Sequence, residues 1–219
     1  MRKFIVVLVA GALTILLSAC GLVGAGQDDC SDGGSLFQDD FSGDKNCGWQ
    51  EYSQGGAVVA ISDGSLNMST SQPGQIWWTN PGGEFDDVII STQVRQVSGP
   101  DDNAYGVICR YQDENNYYIF LISGDGYYAI GKYQTGNDQI TYLTENSQYV
   151  FSEDINQGVA TNQIRASCVG NELSLSVNNV PLVVVQDPTF VRGDVGTAVS
   201  TLEPGELQIS FDDFRVLAP

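Results

Sequence analysis

The sequence of 219 residues contains no histidine and few basic residues, and both scarcities restrict its chemistry. Without imidazole the chain lacks a Ser-His-Asp or Cys-His nucleophile system and the common zinc sites that use histidine. Catalysis would have to depend on carboxylates, tyrosine, lysine or a bound ion. The 9 basic residues are outnumbered by 27 acidic ones, which gives a net charge of −18. A charge of this sign repels nucleic acid and anionic lipid headgroups, so we expect neither as a partner.

Three sequence patterns are also absent. There is no sustained helical hydrophobic period, no apolar run of transmembrane length after residue 19, and no paired Cys-x-x-Cys spacing. We therefore expect few helices. We expect no membrane-spanning segment beyond the start of the chain, and no metal site made of cysteines.

The first residues have the layout of a bacterial export signal. Two basic residues precede an uncharged run, residues 4–17, that is too short to span a bilayer comfortably. The following Leu-Ser-Ala-Cys, residues 17–20, resembles the lipobox, in which a cysteine receives a diacylglyceryl group before cleavage ahead of it. This pattern predicts a signal peptide over residues 1–19 and a lipid on Cys20. An unlipidated secretory signal and a retained N-terminal anchor are the alternatives.

The remainder of the chain divides into a short tether and one domain. Residues 20–34 are mostly small or acidic, with little to bury, and predict a flexible tether. Residues 35–219 are long enough for one domain with a sizeable core. We expect the domain to lie outside the cytoplasm, in the cell envelope, and to contact the membrane only through the lipid on Cys20.

Four cysteines remain after Cys20. An even number outside the cytoplasm predicts two disulfides, for which three connectivities are possible. We favour Cys30–Cys47, which would tie the tether to the edge of the domain. The second bond would then be Cys109–Cys168, between two segments that resemble strands.

From residue 35 onward the chain consists of short extended segments. Apolar and polar residues alternate, or β-branched residues form short runs, and turn signals such as Asp-Gly, Pro-Gly-Gly and Gly-Asp-Gly separate them. Short strands at regular spacing are typical of an all-β sandwich or barrel. The pair Asn178-Asn179, between two apolar runs, predicts a β-hairpin.

Several segments in sequence resemble a known superfamily. They are FQDDFS at 37–42, YGVICRY at 105–111, NNYYIF at 115–120, DGYYAI at 125–130 and FDDFRV at 211–216. Their order resembles the concanavalin A-like lectin/glucanase jelly roll, in the branch of laminin-G-like modules and 3-keto-disaccharide hydrolases. The resemblance covers residues 35–219. It implies an all-β, two-sheet antiparallel jelly-roll sandwich, with a concave face that meets sugar in many relatives.

The resemblance does not extend to a catalytic motif. Laminarinase-type relatives carry Glu-x-Asp-x-x-Glu on one concave strand, and this sequence has no such triplet. The nearest acidic runs, residues 84–87 and 113–114, fall at the start of a strand and in a loop. Retaining glycosidases need two carboxyl groups about 5–5.5 Å apart, which loop carboxylates supply poorly. We therefore assign no catalytic residue.

Aromatic side chains are the main candidates for binding sugar. A ring can stack on the apolar face of a pyranose while neighbouring polar groups bind the hydroxyls. The candidates are Trp77, Trp78, Arg110, Tyr117, Tyr118, Tyr127, Tyr128 and Lys132. Strand alternation predicts that Tyr111 shares the buried face of Cys109, whereas Arg110 points the other way, between aromatic rings.

Strand packing alone also favours tyrosine and tryptophan, so many of these rings are expected in the core. Adjacent residues of a strand point to opposite faces. One ring of each pair, Trp77-Trp78 and Tyr117-Tyr118, must therefore face inward, and the sequence leaves open which one.

Two acidic pairs near the chain ends suggest a structural calcium ion. The resemblance places the first and last strands side by side, which would bring together Asp39, Asp40, Asp212 and Asp213. Calcium takes about 6–8 oxygen ligands, including backbone carbonyls. Alternation sends Asp39 and Asp40 to opposite faces, so solvent-facing carboxylates at strand ends are the alternative.

The sequence as a whole favours a lipid-anchored, extracytoplasmic, lectin-like module that binds carbohydrate or a cell-envelope glycan without catalysis. An enzyme acting on disaccharides or polysaccharides is one alternative. A structural or protein-binding component of the envelope is the other.

Overall fold

The structure is a computed structural model that describes residues 30–31, 33–43 and 46–219. The signal peptide, the lipid site at Cys20 and most of the tether therefore lie outside the described residues. Within the described part, no helix has the length and apolar character needed to cross a membrane.

The described residues form sixteen β-strands and one short 3-10 helix at Glu145–Ser147. The strands are β1 (Phe37–Asp39), β2 (Tyr52–Gln54), β3 (Ala57–Ser62), β4 (Ser65–Thr70), β5 (Trp77–Thr79), β6 (Val88–Ser98), β7 (Asn103–Asp113), β8 (Asn116–Ile122), β9 (Tyr127–Tyr133), β10 (Thr141–Tyr142), β11 (Val150–Phe151), β12 (Thr161–Val169), β13 (Glu172–Val177), β14 (Val180–Gln186), β15 (Asp194–Thr201) and β16 (Leu207–Leu217).

The strands form two antiparallel sheets. The nine-stranded sheet has the order β14-β13-β12-β6-β16-β4-β3-β2, with β1 paired to β16. The seven-stranded sheet has the order β10-β9-β8-β7-β15-β5, with β11 paired to β9. This arrangement confirms the two-sheet jelly-roll sandwich expected from the sequence. The expected hairpin joins β13 to β14, and both turn residues, Asn178 and Asn179, have positive φ.

The main core lies between the two sheets and follows the pleat of the strands. In β6, every second residue from Val88 to Gln96 is buried, and the residues between them are exposed or partly exposed. Inward side chains such as Ile90, Phe120 and Phe211 are fully buried. Burying a side chain of this size stabilises the fold by about 1.5–3 kcal/mol.

The central strands of the seven-stranded sheet are buried on both faces. Strand β15 is buried at every position, and β8 at all positions but the first. The outward residues of this sheet, which include Ala104, Ile108, Ile119 and Leu121, form a second apolar cluster. This second cluster forms the floor of the cavity described below.

Two disulfides hold the fold together, and both favoured pairings are confirmed. Cys30 is bonded to Cys47 across 17 residues of chain, so the end of the tether is fixed to the domain. Cys109 on β7 is bonded to Cys168 on β12 across 59 residues. Because these strands belong to different sheets, the second bond joins the two layers covalently.

Candidate functional site

An open groove of about 470 Å³ lies on the outer face of the seven-stranded sheet. Its volume is within the range of about 300–1,000 Å³ that is usual for small-ligand sites. We call it the aromatic groove. Its lining includes Ile76, Trp78, Ala104, Glu114, Asn115, Tyr117, Leu121, Tyr133, Asp138, Gln139, Ile140, Tyr142, Tyr149, Ser200 and Leu202.

Strand alternation decides which aromatic residues reach this groove. In β5, Trp78 points outward, whereas Trp77 packs against the main core. In β8, Tyr117 points outward, whereas Tyr118 lies in the core. Tyr133 of β9 is the antiparallel partner of Tyr117, and both therefore emerge on the same face.

A β-bulge at Arg110 adds another ring to that face. The register of β7 against β15 shifts by one residue between Ile108 and Tyr111, and Arg110 has a positive φ of 53°. A bulge inserts one extra residue, so the side chains beyond it exchange faces. Tyr111 therefore packs in the outer cluster. Alternation alone predicts that it shares the buried face of Cys109, and this prediction is wrong.

Four rings form what we call the aromatic row: Trp78, Tyr111, Tyr117 and Tyr133. The Tyr117 ring stacks between Tyr111, with centroids 5.8 Å apart, and Tyr133, with centroids 5.7 Å apart and planes inclined by 9°. The Trp78 ring lies 6.2 Å from that of Tyr117. These separations are within the usual range for interacting aromatic pairs. The row is therefore a packed, fixed surface.

Tyr117 is a buried ring whose hydroxyl makes no hydrogen bond among the described residues. Its side chain is 2% exposed and lines the groove. Burial, followed by the neighbouring hydroxyls of Tyr133 and Tyr111, raises the pKa of Tyr117 well above its ordinary value. Among the described residues, the buried side-chain atoms without a partner are the indole nitrogen of Trp77 and the hydroxyl of Tyr105. The Tyr117 hydroxyl is not one of them, so it is reached from the groove and is open to a bound molecule.

One wall of the groove is the segment that follows β9. Ile140 of this segment packs closely over Gly131, where an added Cβ would meet the Ile140 side chain. Further along, the rings of Tyr142 and Tyr149 pack edge to face with centroids 5.0 Å apart. Burial, then Tyr142, and after it Asp102 and Asp125, raise the pKa of Tyr149.

Polar side chains border one end of the groove. Glu114 and Asn115 lie in the β7–β8 turn, and Asp138 and Gln139 lie between β9 and β10. The Asn116 side-chain amide donates to the Thr135 hydroxyl at 2.9 Å, which ties these two connections together. Carboxylate and amide groups thus stand beside the ring surface, which suits hydrogen bonding to a polyhydroxylated molecule.

The structure places only some of the sequence candidates in this groove. Trp78 and Tyr117 line it, and Tyr127 lines a smaller adjoining cavity of about 210 Å³, which we call the side cavity. Trp77 and Tyr128 face the main core, and the Tyr128 hydroxyl bonds to a backbone carbonyl. These two candidates for binding sugar therefore do not reach the groove, because the pleat turns both rings inward.

Arg110 also lies inside the protein, in contrast to the expected exposed position. Its side chain is 1% exposed. Its guanidinium donates at 2.8 Å to the carbonyls of Gly170 and Phe190 and forms an ion pair of 2.9 Å with Asp87. The bulge explains the error, because at positive φ this residue leaves the alternation of the strand. Arg110 is a structural residue that joins three loops.

Tyr118 and Lys132 likewise do not line the groove, because both bind the Asp187 carboxylate in a buried polar network. The Tyr118 hydroxyl donates to Asp187 at 2.6 Å, and the Lys132 ammonium forms an ion pair of 2.7 Å with the same carboxylate. Burial tends to raise the pKa of Asp187, but the hydrogen bonds from Lys132, Thr189 and Tyr118 outweigh it and lower the pKa to about 2.

The four aspartates considered for calcium lie near one another only in part. The terminal strands are adjacent, with Asp39 opposite Phe214. The Asp39 carboxylate accepts hydrogen bonds from the Trp49 indole at 3.0 Å and the Phe41 amide at 2.8 Å, and burial raises its pKa. Asp40, Asp212 and Asp213 remain more exposed. Residues 30–31, 33–43 and 46–219 contain no group of three or more acidic or cysteine side chains suited to a metal. Calcium thus stays a prediction from sequence alone.

Sequence reasoning missed several rings of the site. Tyr133, Tyr142 and Tyr149 were not singled out, although all three line the groove. Tyr133 could have been found by pairing β8 with β9, since it lies opposite Tyr117. Tyr142 and Tyr149 belong to an irregular segment, where the sequence carries no period from which to infer direction.

Comparison with known proteins supports the fold. The chain matches no protein-family model and no curated protein. The carbohydrate-binding module CBM66 from Bacillus subtilis is similar, with a TM-score of 0.61 and 13% identity over 78% of this chain and 96% of that one. A Bacillus licheniformis β-glucanase gives a TM-score of 0.60 and 10% identity over 86% and 100%. A Bacillus subtilis protein of unknown function with a galectin-like fold gives 0.58 and 13% over 85% and 97%. The concanavalin A-like jelly roll is thereby confirmed as the fold.

The first prediction concerns Arg110. Replacing it in Arg110→Met would leave two carbonyls and Asp87 without their donor. We expect a loss of about 2–3 kcal/mol in the free energy of unfolding, measured by urea denaturation. The control is Arg215→Met, because Arg215 makes only an exposed ion pair with Asp213 and should change stability by less than about 1 kcal/mol. Equal effects of the two variants would contradict the structural role of Arg110.

The second prediction concerns the pH dependence of the Asp187 network. The folded state lowers the pKa of Asp187 from 3.8 to about 2. Its stabilising contribution is therefore complete above about pH 4 and is lost as the pH falls towards 2. Asp187→Asn should lower the free energy of unfolding by roughly 2 kcal/mol at pH 7, and the difference from the parent should shrink near pH 2. A difference that is independent of pH would show that Asp187 is not held ionised by the fold.

Proposed function

We propose that the chain is a lectin-like module that binds a glycan in the aromatic groove. The observation that carries this proposal is the fixed aromatic row with the unpartnered Tyr117 hydroxyl at its centre. Ring edges and faces offer a surface for the apolar side of a sugar, and the hydroxyl offers a hydrogen bond. The amides of Asn115 and Gln139 lie at the rim, within the same groove.

The preformed shape of the groove supports binding of a rigid ligand. The row is packed on both sides of Tyr117, so little side-chain entropy is lost when a ligand settles on it. The side cavity adjoins the groove, since Tyr149 and Leu202 line both. An elongated site of this kind suits several linked sugar units better than one monosaccharide.

We propose binding without catalysis, because the carboxylates of the groove are poorly supported for chemistry. Glu114 and Asp138 project from loops and not from paired strand positions. The acidic run that starts at Glu84 is used elsewhere, in ion pairs of Glu84 and Asp86 with Arg192. The β-glucanase and the carbohydrate-binding module share the fold, so the fold alone does not decide between the two functions.

The cell envelope is the proposed location, with a lipid on Cys20 as the anchor. This part of the proposal rests on residues 1–20 of the sequence, and two disulfides agree with an oxidising compartment outside the cytoplasm. Several acyl chains together would hold the protein stably at a membrane.

The third prediction tests the groove with a matched pair of variants. After an array of plant, microbial and animal oligosaccharides has identified a ligand, its Kd is measured by calorimetry. Trp78→Leu removes a ring of the aromatic row and should weaken binding at least tenfold, about 1.4 kcal/mol. Trp77→Leu removes the adjacent indole, which faces the core, and should lower the melting temperature while leaving Kd within about twofold.

Two results would count against the proposal. Equal Kd values for the parent, Trp78→Leu and Trp77→Leu would show that the ligand does not bind in the groove. Release of reducing sugar from a bound polysaccharide, abolished by Glu114→Gln or Asp138→Asn, would identify an enzyme and end the claim that the module only binds.

The fourth prediction tests the lipid anchor. In a bacterial host the parent chain should be found in the membrane fraction, and mass spectrometry of its N-terminal peptide should show acyl chains on Cys20. Cys20→Ser removes the thiol that the lipid requires. Membrane association of Cys20→Ser equal to that of the parent would exclude lipidation as the anchor.

A further inference from the structure

We propose that the ligand of the aromatic groove is a glycan that carries protonated amino groups. This inference rests on the proposed function and narrows it to one chemical class. It follows from the distribution of charge around the groove, from the ring surfaces that a cation would meet there, and from the unpartnered hydroxyl on the floor.

Carboxylates stand at both ends of the groove. Glu114 and Asp138 line one end, where the β7–β8 turn meets the segment after β9. At the other end, the side cavity is lined by Asp102 and Asp125. The two ends are separated by the length of β8, seven residues or about 20 Å. A linear oligosaccharide along this path would have a carboxylate near each end.

The cationic side chains of the described residues lie away from the groove. None of them is among the groove-lining residues or those of the side cavity. Arg110 and Lys132 are largely buried and held in ion pairs, and Arg192 pairs with Glu84 and Asp86. The exposed cations on strands are all on the nine-stranded sheet: Arg95, Arg165 and Arg215.

This arrangement ranks three classes of glycan. A polyuronate or sulfated glycan would meet carboxylates that no basic group offsets, and the charge of −18 would oppose its approach. A neutral glycan would gain stacking and hydrogen bonds only. A glycan with protonated amines would gain the same contacts and, in addition, attraction to the four carboxylates.

The aromatic rings favour the same class. A cation within about 6 Å of a ring centroid is attracted to the ring face, and the attraction increases when water is excluded. Trp78, Tyr133, Tyr142 and Tyr149 all line the groove, so an amine placed beside any of them would meet an aromatic ring. The Tyr117 hydroxyl can accept a hydrogen bond from an ammonium group or donate one to a sugar hydroxyl.

The fifth prediction compares three β-1,4-linked hexamers that differ only at the 2-position: glucosamine, N-acetylglucosamine and glucose. Binding to the purified full chain is measured by calorimetry at low salt and neutral or mildly acidic pH. We expect the glucosamine hexamer to bind at least tenfold more tightly than the other two. Its advantage should fall several-fold in 0.5 M salt, because screening shortens the reach of charge to a few ångströms.

Charge-neutralising variants separate local attraction from the overall charge of the protein. Glu114→Gln and Asp138→Asn should each weaken the binding of the glucosamine hexamer about threefold or more. Neither variant should change the melting temperature. Asp63→Asn removes one charge from the β3–β4 turn, on the other sheet, and should not change the Kd. An equal effect of Asp63→Asn would assign the preference to net charge and overturn the proposed site.

The outcomes distinguish this inference from the function on which it rests. If the three hexamers bind equally, or if the glucosamine hexamer fails to bind, the amine proposal is wrong. Loss of binding of any array glycan in Trp78→Leu would still support the groove as a glycan site in that case. If Trp78→Leu binds every array ligand as the parent does, the proposed function itself is wrong.

Discussion

The seven-stranded sheet must bury both faces of its central strands, and the rest of the structure depends on this constraint. Its inner face closes the main core against the nine-stranded sheet. Its outer face carries apolar residues such as Ile108, Ile119 and Leu121, which have to be covered as well. The aromatic row and the segment after β9 cover that surface in part and leave a groove between them. The candidate site is therefore the incomplete cover of a second core, and its rings are both binding surface and packing.

The fold could be predicted well from the sequence because it depends on patterns that repeat. Alternation, turn residues and an even number of cysteines recur along the whole of residues 35–219, so local errors do not change the overall result. The hairpin at Asn178 and Asn179 and the pairing Cys109–Cys168 were both found in this way. The signal peptide and the lipid on Cys20 rest on equally simple patterns, but they lie outside the described residues.

The site was harder to predict because it depends on single departures from those patterns. Alternation states that Trp77 and Trp78 face opposite ways, but only the packing of β5 against β15 determines which ring is outside. The bulge at Arg110 reverses the direction of Tyr111, and no residue type in that strand indicates a bulge. Tyr142 and Tyr149 enter from an irregular segment. Knowledge of the strand pairing would have identified Tyr133. Strand register is therefore the most useful information that a single sequence does not provide.

The bulge in β7 also makes the length of that strand as important as its composition. Beyond Arg110, each side chain owes its direction to one extra residue. A deletion of a single residue there would turn Tyr111 towards the interior. A substitution at the same place would preserve the direction of everything that follows. Related chains that kept this row of rings would therefore have to conserve the number of residues between Cys109 and Tyr117, while remaining free to vary most of their identities.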